Sequence, residues 1–347
     1  MENNQKYSPG LVVWEITLKC NLKCLHCGSS AGNARVNELS TKEGVKLCNE
    51  LAETGFKGVT LFGGEPFLRN DWHIFAKEIK DLGMKLSVVS SGFVNAKKII
   101  PELVKLRVDS VQIGLDGCSA KTHDYIRGVD GSFDKAMEFI RLSKQADLPI
   151  GAITTVHKLN FKELPAIRDL IVEEVIDWLV GEAIVMGRFA KELVLSKEEH
   201  YALGLFVASM QQKYSSKGVL IGAPHSFGFY SKHIPNLIQP RDWNGCWAGK
   251  LVLGIQSDGG VKGCLALSDD FIEGNVRDRS ITETWNDPDS FAYTKQFQMS
   301  DLEEGCRGCE YGQICKGGCS TRSFSLSGKL HNDPYCYYKI EQKSLSE

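Results

Sequence analysis

"LVVWEITLKCNLKCLHC" (residues 11–27) joins a seven-residue apolar run to three cysteines spaced C-x3-C-x2-C. The run "LVVWEIT" is rich in β-branched and aromatic residues, so a strand is predicted, with the cysteine loop at its carboxyl end. Structural zinc sites take four protein ligands, usually from paired C-x2-C units. Here no fourth Cys or His stands nearby in a suitable place; His26 is wedged between two of the cysteines. A cubane iron–sulfur cluster held by three thiolates leaves one iron open to a substrate or cofactor, and its potential suits demanding one-electron reductions.

Outward from this stretch, strands are predicted at 58–62, 85–90, 109–115, 150–156 and 177–186, with amphipathic segments between them. Phe133, Ala136, Met137 and Ile140 recur at helical spacing within 132–146. Ser40 and Glu43 form the signature of a capping box that opens a helix after the cysteine loop. Six β-α units imply a parallel sheet with helices outside. The α/β expectation is a partial (β/α)6 TIM-like barrel, because "CNLKC", "GGEP", "SSG" and "LDG" each follow a strand and would share its carboxyl-end rim.

The expected organisation is a barrel over 11–190, a connector over 191–245 and a small cysteine-rich domain over 246–347. The connector reads as a helix over 195–217 and an irregular stretch, "IGAPHSFGFYSKHIPNLIQPRDWNG". The last segment has too few apolar runs for a large core and is expected to fold around metal.

Formal net charge is −2, with 42% apolar and 24% charged residues, so no strong field recruits nucleic acid or an anionic membrane. No apolar run has the length of a membrane span, and the N-terminus has no signal-peptide core. A cytoplasmic location is expected. Twelve cysteines in a reducing compartment then point to metal or catalysis.

In this order, the motifs resemble the radical S-adenosylmethionine superfamily, with His26 at the aromatic position of its cysteine motif. The resemblance implies a cluster on Cys20, Cys24 and Cys27 whose open iron is chelated by S-adenosylmethionine. Reductive cleavage then yields a 5′-deoxyadenosyl radical that abstracts a substrate hydrogen. It places Gly63, Gly64, Glu65 and Pro66 at the cofactor's amino group and Ser90 and Ser91 at its ribose. Within "LDGCSAKTHDYIRG", Asp116 and Arg127 are cofactor-site candidates, with Arg127 at the carboxylate.

The C-terminal cysteines, Cys246, Cys264, Cys306, Cys309, Cys315, Cys319 and Cys336, resemble a SPASM domain with two auxiliary clusters. The resemblance assigns Cys306, Cys309, Cys315 and Cys336 to an outer 4Fe-4S cluster, and Cys246, Cys264 and Cys319 to an inner one. Some relatives carry a further cysteine shortly after the position of Cys246; "WAGKLVLGIQS" has none, so the inner cluster is open or takes a non-cysteine ligand. Gly259 in "SDGGVKGC" reads as a hairpin turn before Cys264. Zinc is the competing reading for the C-x2-C pair.

Three 4Fe-4S clusters and S-adenosylmethionine are thus the expected cofactors, and a flavodoxin- or ferredoxin-type protein the reductant. The expected reaction is oxidative modification of a peptide or protein, by crosslinking or side-chain oxidation. Formylglycine formation is disfavoured, because Leu265 stands where sulfatase-maturing relatives carry an acid. About ten residues precede the first strand, too few for a leader-binding fold, so either a separate leader-binding protein is a partner or the substrate lacks a leader. The alternatives are an enzyme of porphyrin or haem-type cofactor biosynthesis, and a multi-cluster electron carrier; a carrier has no need of "GGEP" or Arg127. Cys48 reads as core. Cys118 is either a packed loop residue or a thiol facing the barrel cavity. His157, His225 and His233 read as surface or hydrogen-bonded histidines, and "SFGFY" as core or the barrel mouth.

Overall fold

The computed structural model describes residues 7–224, 227, 230, 231, 233, 234, 237 and 244–344. Seven strands run parallel and in chain order: β1 (Leu11–Thr17), β2 (Gly58–Gly63), β3 (Lys85–Ser90), β4 (Ser110–Gly114), β5 (Ile150–Val156), β6 (Asp177–Glu182) and β7 (Leu220–Gly222). This is the partial TIM-like barrel expected from the sequence. β6 ends at Glu182, earlier than the apolar run that continues to Met186.

The sheet also extends beyond the six expected strands on both sides. β7 comes from the segment read as a connector and pairs in parallel with β6. On the other edge β8 (Val252–Ile255) pairs in parallel with β1, then turns through antiparallel β9 (Gly260–Lys262) and β10 (Gly274–Asn275). Gly259, at φ +93°, makes the β8–β9 turn. The cysteine-rich segment is therefore continuous with the barrel sheet through β8. "LVLG" carries no mark that its partner lies 241 residues upstream, so this pairing is invisible in sequence.

Side-chain alternation along β1 divides the work of the two faces. Val12, Trp14 and Ile16 are fully buried toward the helices, where Trp14 meets Phe75 of α2 (Trp72–Asp81) at 5.0 Å between ring centroids. Gly44 on α1 (Thr41–Thr54) admits that ring, since a Cβ there would lie 2.4 Å from Phe75 Cε1. Glu15 and Thr17 alternate to the opposite face. A buried carboxylate needs partners. Glu15 accepts from Arg35 Nε (2.8 Å), Ser257 Oγ (2.9 Å) and Ser257 N (3.2 Å), which ties the β8–β9 turn to β1.

Ser40 and Glu43 make the capping box at α1, and Cys48 is wholly buried on that helix. The outer layer continues with α3 (Ala96–Lys105), α5 (Ser132–Gln145) and α6 (Leu164–Ile171). A further helix, α4 (Ala120–Arg127), caps with Gly128 at φ +70° and brings Arg127 to the rim. α7 (Lys197–Tyr214) follows β6. Among its described residues the last segment holds five short helices, α8 (Ile281–Asn286), α9 (Ala292–Lys295), α10 (Gly312–Cys315), α11 (Ser320–Ser327) and α12 (Tyr337–Ser344). Among the described residues no helix is long and apolar enough to cross a membrane.

Candidate functional site

The three N-terminal cysteines sit on a loop closed by backbone bonds from Cys20 N to Gly32 O (2.9 Å) and from Gly32 N to Leu18 O (3.1 Å). Its far side rests on the end of α4, through Lys23 N to Arg127 O (3.0 Å) and Leu25 N to Ile126 O (2.8 Å). Backbone N–H groups already orient two sulfurs: Leu22 N donates to Cys20 Sγ (3.4 Å) and Ala31 N to Cys27 Sγ (3.3 Å). Burial pushes the Cys20 thiol up to about 11 and lifts Cys24 as well, against the pull of Arg127 on Cys24. Thiols so placed become thiolates when a metal supplies the positive charge, and three of them around one cavity fit an iron–sulfur cluster.

The cavity measures about 330 Å³ and is lined by the three cysteines, His26, Gly63, Gly64, Ser90, Ser91 and Arg127, as well as Glu182 and Arg188. The rim motifs thus converge as their strand-end positions imply. Contacts within the protein give each motif a further duty. The glycines of "GGEP" are demanded first by protein backbone. A Cβ on Gly63 would lie 2.2 Å from Thr17 O, and one on Gly64 2.2 Å from Lys19 O. Gly64 N and Glu65 N then bond Thr17 O and Lys19 O at 2.8 Å each, which sets the cysteine loop against β2.

Glu65 is completely buried, and its carboxylate is occupied by protein donors. It accepts from Ser90 Oγ (2.9 Å), Ser91 Oγ (2.6 Å) and Ser91 N (2.9 Å). Burial lifts this carboxyl above its usual range even against those donors. Glu65 therefore clamps the end of β3 to the end of β2, and it and Pro66, at the start of a short 3-10 turn (Pro66–Leu68), stand behind the cavity wall.

Asp116, at the end of β4, is fully buried beneath the cysteine loop. Its Oδ2 lies 2.8 Å from Arg127 Nη2 and 3.4 Å from His26 Nε2, while Oδ1 accepts from Thr155 N (2.9 Å). Burial opposes its charge, but Arg127, then His26 and His123, outweigh that and hold the carboxyl below its ordinary value. The Arg127 guanidinium packs against Gly114, where a Cβ would fall 2.2 Å from Nη2. The other guanidinium edge faces the cluster loop, with Nη1 3.9 Å from Cys24 Sγ. His26 is neutral at physiological pH, since burial lowers its pKa to about 4.

Several residues of this site carry no obvious sequence signal. His123, four residues before Arg127 on α4, accepts from Asp116 N at 3.1 Å. Asn160 donates to Asp116 O at 3.0 Å. Arg188 bonds Cys24 O (3.2 Å) and Ala31 O (2.7 Å), and Gly187 is required because a Cβ would lie 2.3 Å from Gly28 O. The one available cue is "GR" directly after an over-long apolar run. His157 is buried, with its Nδ1 accepting from Leu159 N (3.3 Å), so its hydrogen-bonded reading holds and its surface reading does not. His233 is exposed; His225 and most of "SFGFY" lie outside the described residues.

A second cavity of about 440 Å³ adjoins the first, sharing Gly28, Ser29 and Met186. Its wall on the C-terminal side includes Leu265, beside Cys264, and Thr321, whose hydroxyl lies 4.0 Å from Cys264 Sγ. Cys118 lines neither cavity: its N–H donates to Glu163 Oε2 (2.9 Å), and its thiol is lifted by burial and then by Glu163. This is the packed-loop alternative of the two open in the sequence.

The structure gathers Cys306, Cys309, Cys315 and Cys336 around one small cavity, with Lys339 Nζ 3.2 Å from Cys306 Sγ. Among the described residues, no three His, Cys, Asp or Glu side chains converge closely enough to grip a single ion. Four thiols around a cavity suit a cluster with its own sulfides instead. Cys246 stands near both Cys264 and Cys319, and after burial its charge is the next influence raising each. The interleaving of the two sets has a backbone cause. Lys316, Gly317 and Gly318 all adopt positive φ (+53°, +77° and +88°), which reverses the chain between Cys315 and Cys319. Gly317 is also obligatory by space, since a Cβ would lie 2.3 Å from His331 Cα.

Comparison with known proteins agrees with this arrangement. The model of the radical SAM superfamily matches residues 14–171, and that of the SPASM iron–sulfur cluster-binding domain matches 246–310. The AdoMet-dependent heme synthase of Methanosarcina barkeri is 28% identical over 97% of this chain and 98% of its own length. Mycofactocin maturase MftC of Mycolicibacterium smegmatis is also 28% identical, over 95% of this chain and 83% of its own length. SuiB of Streptococcus suis bound to S-adenosylmethionine shares the fold with a TM-score of 0.76 at 16% identity, over 95% of this chain and 77% of that one. Native anSMEcpe with bound AdoMet gives 0.72 at 16% identity, over 97% and 96%. The barrel, its cysteine-lined rim and the cysteine-rich extension together make this chain a member of the radical SAM superfamily with a C-terminal SPASM domain.

Proposed function

We propose that this protein oxidatively modifies a peptide or protein, admitted through the larger cavity to the cysteine-lined end of the barrel. The observation that carries the reading is the charge balance of that cavity. Its two lining cations each face a carboxylate: Arg35 meets Glu15 at 2.8 Å, and Lys262 meets Asp269 at 3.0 Å. A porphyrin with several carboxylates needs cations free to receive them. A peptide needs mixed donors and acceptors along an enclosed wall, which Gln256, Ser268, Ser325 and Thr321 provide.

In this reading Cys20, Cys24 and Cys27 hold a cluster, and Gly63, Gly64, Ser90, Ser91, Arg127 and His26 surround S-adenosylmethionine. Bound there, the two supply a 5′-deoxyadenosyl radical that takes a hydrogen atom from the substrate. The protein's own contribution is placement. Glu65 fixes Ser90 and Ser91, and Asp116 fixes Arg127 and His26, so the polar wall is set before cofactor arrives. The apolar wall at Leu265, Leu267 and Phe324 keeps water from a reactive carbon centre. Cysteines 246–336 would hold the auxiliary clusters that accept the second electron.

The porphyrin reading is supported by the full-length similarity to heme synthases. One experiment separates the two. The protein is co-expressed anaerobically with short peptides encoded beside its gene and, in parallel, assayed after reconstitution with carboxylated porphyrins. The peptide reading expects a peptide about two daltons lighter, the loss of two hydrogens in an oxidation. Decarboxylated or otherwise altered porphyrin, with every peptide unchanged, overturns it.

A further inference from the structure

We propose that Tyr293 supplies the non-cysteine ligand of the inner auxiliary cluster. Three cysteines, Cys246, Cys264 and Cys319, leave one iron of a four-iron cluster without a thiolate. Tyr293 lies on α9, and its hydroxyl rests where two of the cysteine-bearing segments come together. A Cβ built on Gly263, the neighbour of Cys264, would lie 2.3 Å from Tyr293 Oη and 2.9 Å from Cβ of Ala248, two residues after Cys246. Any side chain at position 263 would displace the phenol.

The placement is held from both sides. Thr294, next on the helix, donates to Ala248 O at 2.7 Å and so fixes α9 to the Cys246 loop. The Tyr293 ring packs edge-on against Phe271 at 5.3 Å between centroids. Yet the hydroxyl is buried beside Gly263 N–H, which can only donate, and its own proton has no acceptor. A buried hydroxyl left unsatisfied costs about 1–3 kcal/mol, and such groups are rare enough to call for a cause. A phenolic oxygen beside an iron short of one ligand provides one. On assembly the Fe–O bond replaces the O–H bond, and the proton leaves to buffer; no electron is transferred.

The inference rests on the inner cysteines holding a cluster, and the test tells the two apart. Reconstituted wild-type protein is analysed for iron and sulfide and examined by resonance Raman spectroscopy. The expected result is about twelve irons per chain, as three four-iron clusters require, together with iron–phenolate ring modes. Tyr293→Phe keeps the iron and loses those modes, and, with S-adenosylmethionine filling the open iron of the N-terminal cluster, added cyanide then alters the electron paramagnetic resonance of one cluster in the variant but not in wild type. Full iron without phenolate modes in wild type, or modes that survive Tyr293→Phe, overturns the ligand alone. Iron about four short in wild type, unchanged by Cys264→Ala, overturns the inner cluster and the ligand with it. If Tyr293→Phe fails to fold, Tyr293→Leu removes the phenol oxygen and leaves an apolar side chain in its place. It is expected to retain all the iron and show no phenolate modes, and their persistence there overturns the assignment.

Discussion

Arg322 of α11 and Glu182 at the end of β6 meet across the joint between the cysteine-rich segment and the barrel, 3.5 Å apart and almost completely buried. Arg322 also takes Asp333 at 2.7 Å, and Glu182 takes His200 Nδ1 at 2.7 Å. Glu182 lines the central cavity, and Asp333 precedes the outer cysteine Cys336 by three residues. The network therefore spans from the rim of the barrel to the auxiliary site. Removing one partner of a buried ionic network strands the others, at about 3–5 kcal/mol. Arg322→Met should show that loss in anaerobic urea unfolding. Adding Glu182→Gln and Asp333→Asn should recover part of it, because no stranded carboxylate then remains. A single variant as stable as wild type contradicts the proposed coupling.

The central cluster assignment is tested by replacing Cys20, Cys24 and Cys27 together with Ala. S-adenosylmethionine cleavage should fall to background in dithionite, while iron bound by the C-terminal cysteines stays at about eight per chain, as two four-iron clusters require. 5′-Deoxyadenosine produced at the wild-type rate would show that the radical arises elsewhere.

Gly64 is predicted to be intolerant of any side chain. Both atoms that a Cβ would meet, Lys19 O at 2.2 Å and Leu18 O at 2.6 Å, are backbone of the cysteine loop and cannot step aside. Gly64→Ala should cost about 3 kcal/mol in urea unfolding and reduce cofactor cleavage at least tenfold. Gly32→Ala in the same loop is the control. Its Cβ would enter open space, so a change within about 0.5 kcal/mol is expected. Equal effects of the two substitutions would remove the steric argument.

Much of this was legible in the sequence because local pattern and motif order coincide. The barrel strands could be read from short apolar runs, and the site from motifs that sit at strand ends. What was hidden is long-range. The pairing of β8 with β1 depends on register between segments far apart in the chain. The Glu65 clamp and the Asp116–His26 contact depend on rotamers that a motif does not specify. "KGG" between Cys315 and Cys319 could have been read as a chain reversal, because consecutive glycines tolerate positive φ.

His123 makes stability depend on pH. Burial, then the nearby Arg127 charge, lowers its pKa to about 4, so it is neutral where it accepts from Asp116 N. The unfolded chain takes up this proton as pH falls below 6.5, the ordinary histidine value, while the folded chain resists until about 4. Stability present above 6.5 is therefore lost as pH falls through that window. From pH 7 to 5.5 the loss from this one group is about 1 kcal/mol. Urea unfolding of wild type and His123→Gln at the two pH values should show a smaller difference in the variant by that amount. An identical pH dependence would mean that His123 is not the group responsible.

Cys118 bears on the reaction type. An enzyme that inverts an α-carbon needs a hydrogen-atom donor on the face opposite the abstraction, and a thiol is suited to that. Cys118 follows the rim motif "LDG" but lines neither cavity, and its backbone is tied to Glu163, just before α6. Burial and then Glu163 keep its thiol protonated. Cys118→Ala is accordingly expected to leave the modified product unchanged in yield and mass. In deuterated water, donation from an exchanged thiol would add about one dalton to the substrate, whereas crosslinking or desaturation removes about two. A one-dalton gain in wild type that disappears in Cys118→Ala would assign the protein to epimerisation and bring Cys118 into the cavity during turnover.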